Sequence, residues 1–156
     1  MIQRFTFGCP LPTESVVLPV EPAAAAVPYL TAEPDGSWSF SLAEDAVVYG
    51  LGEMPRGINK RGWHYVADNT DESHHGENRL SYYGAHNFLL IDGGAGRSVF
   101  GVFVDFPGKV FYDIGYTRHD RLTFRTEEPD YDLYILTGDS PNAVCTEFRK
   151  LIGHSY

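Results

Sequence analysis

The residues best suited to chemistry gather in one polar stretch that holds Asp68, Asn69, Asp71, Glu72, His74, His75 and Glu77. An ionised carboxylate is a pure hydrogen-bond acceptor, so Asp68 suits a ligand that brings donors. The other role open to Asp68 is that of an Asx-type turn residue heading the loop. His64, His74, His75 and His86 raise the question of a metal. Zinc sites on sheet domains use histidines at short, regular spacing with a carboxylate close by. Here His74 and His75 are adjacent and must diverge, and no His-x-His occurs, so no metal site is expected. Gly50 and Gly52, like Gly93 to Gly96, are followed by no helix of the kind a phosphate loop requires, and no cofactor is expected. Cys9 and Cys145 form no CxxC pair and read as two ordinary reduced thiols. Glu127, Glu128, Asp130 and Asp132, with Asp71 and Glu72, read as solvated turn residues.

The elements that must hold these residues are strands. Residues 3–7 alternate polar and apolar, and 16–20 is a β-branched run broken by Pro19. Residues 22–28 are Ala-rich but bracketed by prolines, which suits a loop or one helical turn. Asp35-Gly36 is a hairpin turn ahead of Trp38, Phe40 and Leu42, which alternate with serine as a half-buried strand does. Further strands are expected at 46–51, 86–92, 97–106, 109–113, 121–126 and 131–136. Between 54 and 79 no regular period holds, apart from a strand candidate at 63–66; so long an irregular stretch is usually functional or mobile. Strands at intervals of about ten residues with turn signals between them predict an all-β, antiparallel β-sandwich.

One helix is expected, over 140–153. Ser140 can cap it, Pro141 suits its first turn, and Gly153 stops it. Val144, Phe148, Leu151 and Ile152 then fall on one face. Residues 86–91 and 99–104 are apolar on both faces, with Leu89 and Ile91 opposing Phe88 and Leu90, and Phe100 and Val102 opposing Phe103. Strands of that kind are normally covered on both sides. Either a neighbouring domain covers the second face, leaving this chain with an apolar docking surface able to self-associate, or loops and the helix do so.

The composition narrows the function classes. A chain of 156 residues fits one domain, 1–156, with enough core to fold without staples. The net charge of −9 offers no basic stripe for phosphates, so no nucleic-acid partner is expected. No run approaches the ~20 apolar residues of a membrane span. The start, Ile2 to Phe5, reads as a strand rather than a signal peptide, and a cytoplasmic location is the simplest expectation.

Several segments together carry a resemblance. These are Tyr49-Gly50-Leu51-Gly52-Glu53, Lys60-Arg61-Gly62-Trp63, Asp68, Leu80 to Phe88, Val99 to Phe103, Phe111 to Gly115 and Leu151-Ile152-Gly153. In that order they resemble the N-terminal, galactose-mutarotase-like β-sandwich of family-31 glycoside hydrolases, the α-glucosidase family. The resemblance implies a non-catalytic domain that packs on a catalytic barrel beginning after Tyr156. It also implies a metal-independent retaining hydrolase of α-linked glucose as the complete enzyme. Retaining hydrolysis needs two carboxyl groups about 5 Å apart. The family supplies them from the barrel, and no segment here resembles its nucleophile motif, so no catalytic residue is assigned.

By its place between Trp63 and Tyr83-Gly84, Asp68 matches the family's sugar-contacting aspartate on a loop at the pocket rim; Asn69 and Asp71 are its weaker companions. Two other functions stay open. One is an autonomous carbohydrate-binding module, for which Trp38, Trp63, Tyr82 and Tyr83 would supply stacking faces unless they serve as core or hairpin pairs. The other is a mutarotase, which would need His86 and Glu53 in one cleft.

Overall fold

Alternate residues of Val110–Ile114 turn inward and are fully buried, while those between them are half covered. This is the period-two pattern of a strand with one face on a core. The computed structural model describes residues 1–25, 30–71, 73–93 and 98–154. In chain order they form β1 (Ile2–Phe7), β2 (Leu30–Ala32), β3 (Trp38–Ser41), β4 (Val47–Gly52), β5 (Trp63–Ala67), β6 (Ala85–Asp92), β7 (Val99–Asp105), β8 (Val110–Ile114), β9 (Arg121–Thr126), β10 (Tyr131–Gly138) and α1 (Pro141–Ile152). Two five-stranded antiparallel sheets result, in the orders β1-β10-β7-β6-β4 and β2-β3-β9-β8-β5. The expected antiparallel β-sandwich with one C-terminal helix is the observed fold. The three-residue β2, which pairs with β3 across the Asp35-Gly36 turn, was not expected. Residues 94–96 of the expected turn and 26–28 of the expected loop or helical turn lie outside the described residues.

The main core lies between the sheets, around Phe40, Leu51, Tyr65, Ile114, Phe124 and Leu133. A second cluster lies on the outer side of the first sheet. There Leu90, Phe103, Tyr134 and Leu136 meet Val144, Phe148 and Leu151 of α1. The helix begins as its residues dictate, with the Ser140 hydroxyl accepting from the Ala143 amide at 3.2 Å and Pro141 in the first turn. Gly153 ends it at φ 84°. Full burial of each large apolar side chain stabilises by about 1.5–3 kcal/mol, so this docked face is a substantial part of the fold. Close approach depends on Gly101 of β7, where a Cβ would lie 2.8 Å from the side chains of Val144 and Phe88.

This second cluster decides between the two coverings of the doubly apolar strands. Leu89, Phe100, Val102 and Phe103 are all buried within the one chain. Leu89, Phe100 and Val102 face the opposite sheet, and α1 covers Phe103. Residues 16–20 close the arrangement as a strap along the helix end, the amides of Val17 and Leu18 donating to the Leu151 carbonyl at 2.9 and 3.2 Å. Of the two alternatives the helix is the one observed, and these four residues form no exposed docking face. A half-amphipathic helix twelve residues long supplied the missing cover.

Strand β4 ends in a bulge. Its pairing with β6 shifts between Gly50 and Gly52, and Leu51 between them has φ 66° with its side chain fully buried. An L-residue in that region is uncommon and costs energy that the surrounding structure must offset. Glycine is required on both sides. A Cβ at Gly50 would meet the Phe88 carbonyl oxygen at 2.2 Å, and one at Gly52 the Gly84 oxygen at 2.3 Å.

Candidate functional site

The bulge aims Glu53 at the base of the polar loop. The Glu53 amide donates to the Gly84 carbonyl at 2.8 Å, and its Oε2 accepts from the Gly84 amide at 3.2 Å. Asp68 lies just past the end of β5, at the other base of the loop. Its Oδ2 sits 3.1 Å from Nζ of Lys109, and the Ser81 hydroxyl donates to its backbone carbonyl at 2.7 Å. Asn69 Oδ1 accepts from the Ala85 amide at 2.6 Å, and the Val66 amide donates to the Leu80 carbonyl at 3.1 Å. Residues 68–84 thus leave and rejoin the sandwich at one tied neck, the form of a compact surface loop.

Beyond the neck the loop is open. Asp71, Ser73, His74 and His75 are exposed, and Asp71 makes no hydrogen bond or ion pair among the described residues. The ring of His75 stacks on Tyr82 at 4.7 Å, and the Tyr82 hydroxyl donates to the Gly76 carbonyl. Glu72 lies outside the described residues. Of the three predicted contacts, Asp68 and Asn69 are committed to holding the neck, and Asp71 stands free.

The basic pair Lys60-Arg61 proves structural. Lys60 is buried, its Nζ donating to the Gly57 carbonyl at 3.0 Å, and burial lowers its pKa. Arg61 donates to the carbonyls of Ala43, Glu44 and Ala46 and to that of His119. Together they fix the connection between β4 and β5, and so the direction in which β5 delivers Asp68. Sequence reading registered this pair only as part of a resemblance. Its signal was a lysine followed by arginine and Gly62 directly before a strand.

The four aromatic residues considered for a stacking platform form no single face, although Tyr82 and Tyr83 both meet the His75 ring. Trp38 packs on Phe7 at the core edge, Tyr82 on His75 in the loop, and Trp63 on Tyr116 at the surface, while Tyr83 is exposed. His86 and Glu53 are not partners either. His86 lies against Phe103 and Phe148, and crowding by them lowers its pKa. The cleft of about 330 Å3 beside it is lined by Ser15, Asn87, Phe103 and Asp105, and Glu53 does not line it.

Asp132 corrects a further expectation. It is not a solvated turn residue but sits within β10, buried, with Arg4 at 2.8 Å and the Thr6 hydroxyl at 2.7 Å. Glu127 and Asp130 do cap turns, accepting the amides of Lys109 and Cys9. Cys9 and Cys145 are free and exposed. Among the described residues no three His, Cys, Asp or Glu side chains group as metal ligands, and no helix is long and apolar enough to cross a membrane.

The family model of the "Glycosyl hydrolase 31 N-terminal galactose mutarotase-like domain" matches residues 25–113, more than half of the chain. The chain belongs to this family. The family-31 domain is 28% identical over 113 residues to the α-xylosidase XylQ of Lactiplantibacillus pentosus, covering 72% of this chain and 14% of that protein. It is 30% identical over 120 residues to the probable maltase-glucoamylase 2 of Homo sapiens, covering 76% of this chain and 5% of that one. The chain therefore spans a small part of the relatives it matches. Its fold matches a family-31 dextranase of Flavobacterium johnsoniae with a TM-score of 0.67 at 22% identity, over 83% of this chain and 15% of that one. It also matches the cycloalternan-degrading enzyme of Trueperella pyogenes with a TM-score of 0.62 at 20% identity, over 72% and 16% of the two chains. In the family-31 domain the matched residues include the bulge at Gly50 to Gly52, the Lys60-Arg61 connection and the loop neck at Asp68 and Asn69.

Proposed function

We propose that this family-31 domain is the non-catalytic N-terminal sandwich of a larger α-glucosidase, and that its loop 68–84 lines one side of the substrate pocket in the complete enzyme. A catalytic barrel on the same polypeptide supplies the nucleophile and the acid/base. The domain supplies a rigid base and a carboxylate that holds sugar hydroxyls. The observation that carries this reading is the loop itself. Its neck is tied by Asp68, Asn69, Ser81 and Glu53, while the carboxylate of Asp71 is held out with no partner among the described residues. A free carboxylate on a tied loop is an acceptor already positioned for a ligand, and it costs little to order on binding. Asp68 is the second carboxylate, one whose charge Lys109 already balances.

The glucoside preference is supported by the names of the maltase-glucoamylase and dextranase relatives, while XylQ is named for xylose. The test is a comparison of variants in the polypeptide that joins this domain to its barrel. Asp71→Ala should lower kcat/KM on p-nitrophenyl α-glucoside by about 1.5–3 kcal/mol, the range for a hydrogen bond to a charged group. Asp68→Ala should act in the same direction and less strongly. Unchanged kinetics in both variants overturns the role given to the loop. This domain alone should leave the substrate at the buffer rate, and hydrolysis by a clean preparation would overturn the non-catalytic assignment.

A further inference from the structure

The outer face of the second sheet carries a cleft that neither the core nor loop 68–84 uses. It encloses about 420 Å3, within the roughly 300–1,000 Å3 range of ligand sites. One wall is the β2–β3 turn, with Glu33 and Asp35; the other is the end of β8, with Asp113, and the β8–β9 turn, with Thr117 and Arg118; Arg121 and Thr123 of β9 line it between them. The walls are built before any ligand arrives. Asp113 accepts the amides of Tyr116 and Thr117 at 2.9 and 3.1 Å and the Thr117 hydroxyl, and Asp35 accepts the amide of Ser37 at 3.0 Å. In the floor, Arg121 is paired with Glu33 and donates to the Ser39 hydroxyl, yet its buried Nε–H has no acceptor among the described residues.

The turn that forms the second wall also carries Tyr116. Its ring is exposed and lies nearly parallel to the exposed Trp63, with an interplanar angle of 18° and centroids 6.3 Å apart. Arg56 lies over the Trp63 ring at 4.2 Å, and His64 meets Tyr116 edge-on at 4.7 Å, so both rings are held in place. A cleft of mixed polarity, with an exposed flat ring on the turn that walls it, defines a narrow class of ligand. An inorganic anion would meet the carboxylates of Glu33, Asp35 and Asp113, and a cation would meet the guanidinium groups of Arg118 and Arg121. A neutral polyol meets neither conflict, because each hydroxyl donates to a carboxylate and accepts from a guanidinium at once. A sugar ring also has an apolar face, which suits an aromatic ring.

We propose that this cleft, with Tyr116 on the turn that forms one of its walls, is a binding site for a neutral oligosaccharide, separate from loop 68–84. It tethers a glycan chain to the domain and does no chemistry on it. The site stands on its own geometry and does not require the pocket role of Asp71.

The experiment is a titration of the 15N-labelled chain with maltotriose and with isomaltotriose, up to roughly 20 mM, which reaches a millimolar Kd. Saturable shifts are expected at the amides of Asp35, Ser37, Tyr116, Thr117 and Arg118 and at the indole of Trp63. Tyr116→Ala and Arg118→Ala, both in an exposed turn, should weaken binding at least tenfold, with an unchanged circular dichroism spectrum to show that each folds. Asp71→Ala should leave these shifts in place. Shifts confined to residues 68–84 would support the pocket role and overturn the second site. No saturable shift with either sugar, or saturation of the same amides by sodium phosphate, would also overturn it.

Discussion

The carboxylate of Asp68 lies 3.1 Å from the ammonium of Lys109, which joins the end of β5 to the start of β8 at the neck of the polar loop. Both side chains remain partly open, at 28% and 46% relative exposure, so the pair sits where water screens it. Exposed pairs of this kind contribute about 0–1 kcal/mol. Asp68→Ala should therefore lower the stability of this domain by no more than about 1 kcal/mol. Asp71→Ala should change it by about 0.5 kcal/mol or less, since the side chain is exposed. Urea denaturation of the two variants checks both figures. Unfolding of either variant would make that residue a turn-former.

The bulge in β4 should be far less tolerant. A methyl group at Gly50 would collide with the Phe88 carbonyl at 2.2 Å, and the backbone there has φ 122°. Gly50→Ala should cost at least about 3 kcal/mol, beyond ordinary surface substitutions. The control is Gly36→Ala, where no atom lies within 4 Å and only the φ of 83° opposes the change, so that the loss is smaller. Denaturant midpoints for both variants settle the ranking.

Arg4 and Asp132 couple β1 to β10 at a partly covered site. Hydrogen bonding to Asp132 raises the Arg4 pKa. Removing one charge leaves the other short of a partner, so Asp132→Asn and Arg4→Met should each destabilise by about 2–3 kcal/mol. The double variant should lose less than the sum of the two. An additive result in a double-mutant cycle would deny the coupling.

His86 and Asp105 give the stability a pH dependence with opposed parts. Packing of its ring against Phe103 and Phe148 lowers the His86 pKa, so below its ordinary value of 6.5 the unfolded chain binds more protons there than the folded one. Its part of the stability is present above 6.5 and is lost as pH falls through that window. Burial raises the Asp105 pKa above 3.8, so the folded state holds more protons there. Its part is present below 3.8 and is lost as pH rises through the folded value. His86→Gln should flatten the rise of stability with pH below 6.5. Asp105→Asn should remove a fall in the range above 3.8. Melting temperatures from pH 3.5 to 8 read both slopes, and unchanged slopes would mean that neither group titrates differently on folding.

Much of this protein was settled by local sequence. Strand and helix positions followed from side-chain period and from Ser140, Pro141 and Gly153, because caps and alternation act over a few residues. The Gly50 to Gly52 bulge was legible as a tight strand exit because only glycine relieves a clash with neighbouring backbone. Tertiary structure alone decided the rest. Whether α1 or a foreign surface covers Phe103 depends on where a helix lands after residues far apart in sequence have paired. Asp132 read as one more acid after a turn, until β1 brought Arg4 to it from 128 residues away. The division of labour between Asp68 and Asp71 has the same origin. Two similar carboxylates in one loop differ only because Lys109, Ser81 and Ala85 close the neck around the first and leave the second in water. Burial and ion pairing are properties of the folded chain's long-range contacts, and a linear pattern of residue types does not contain them.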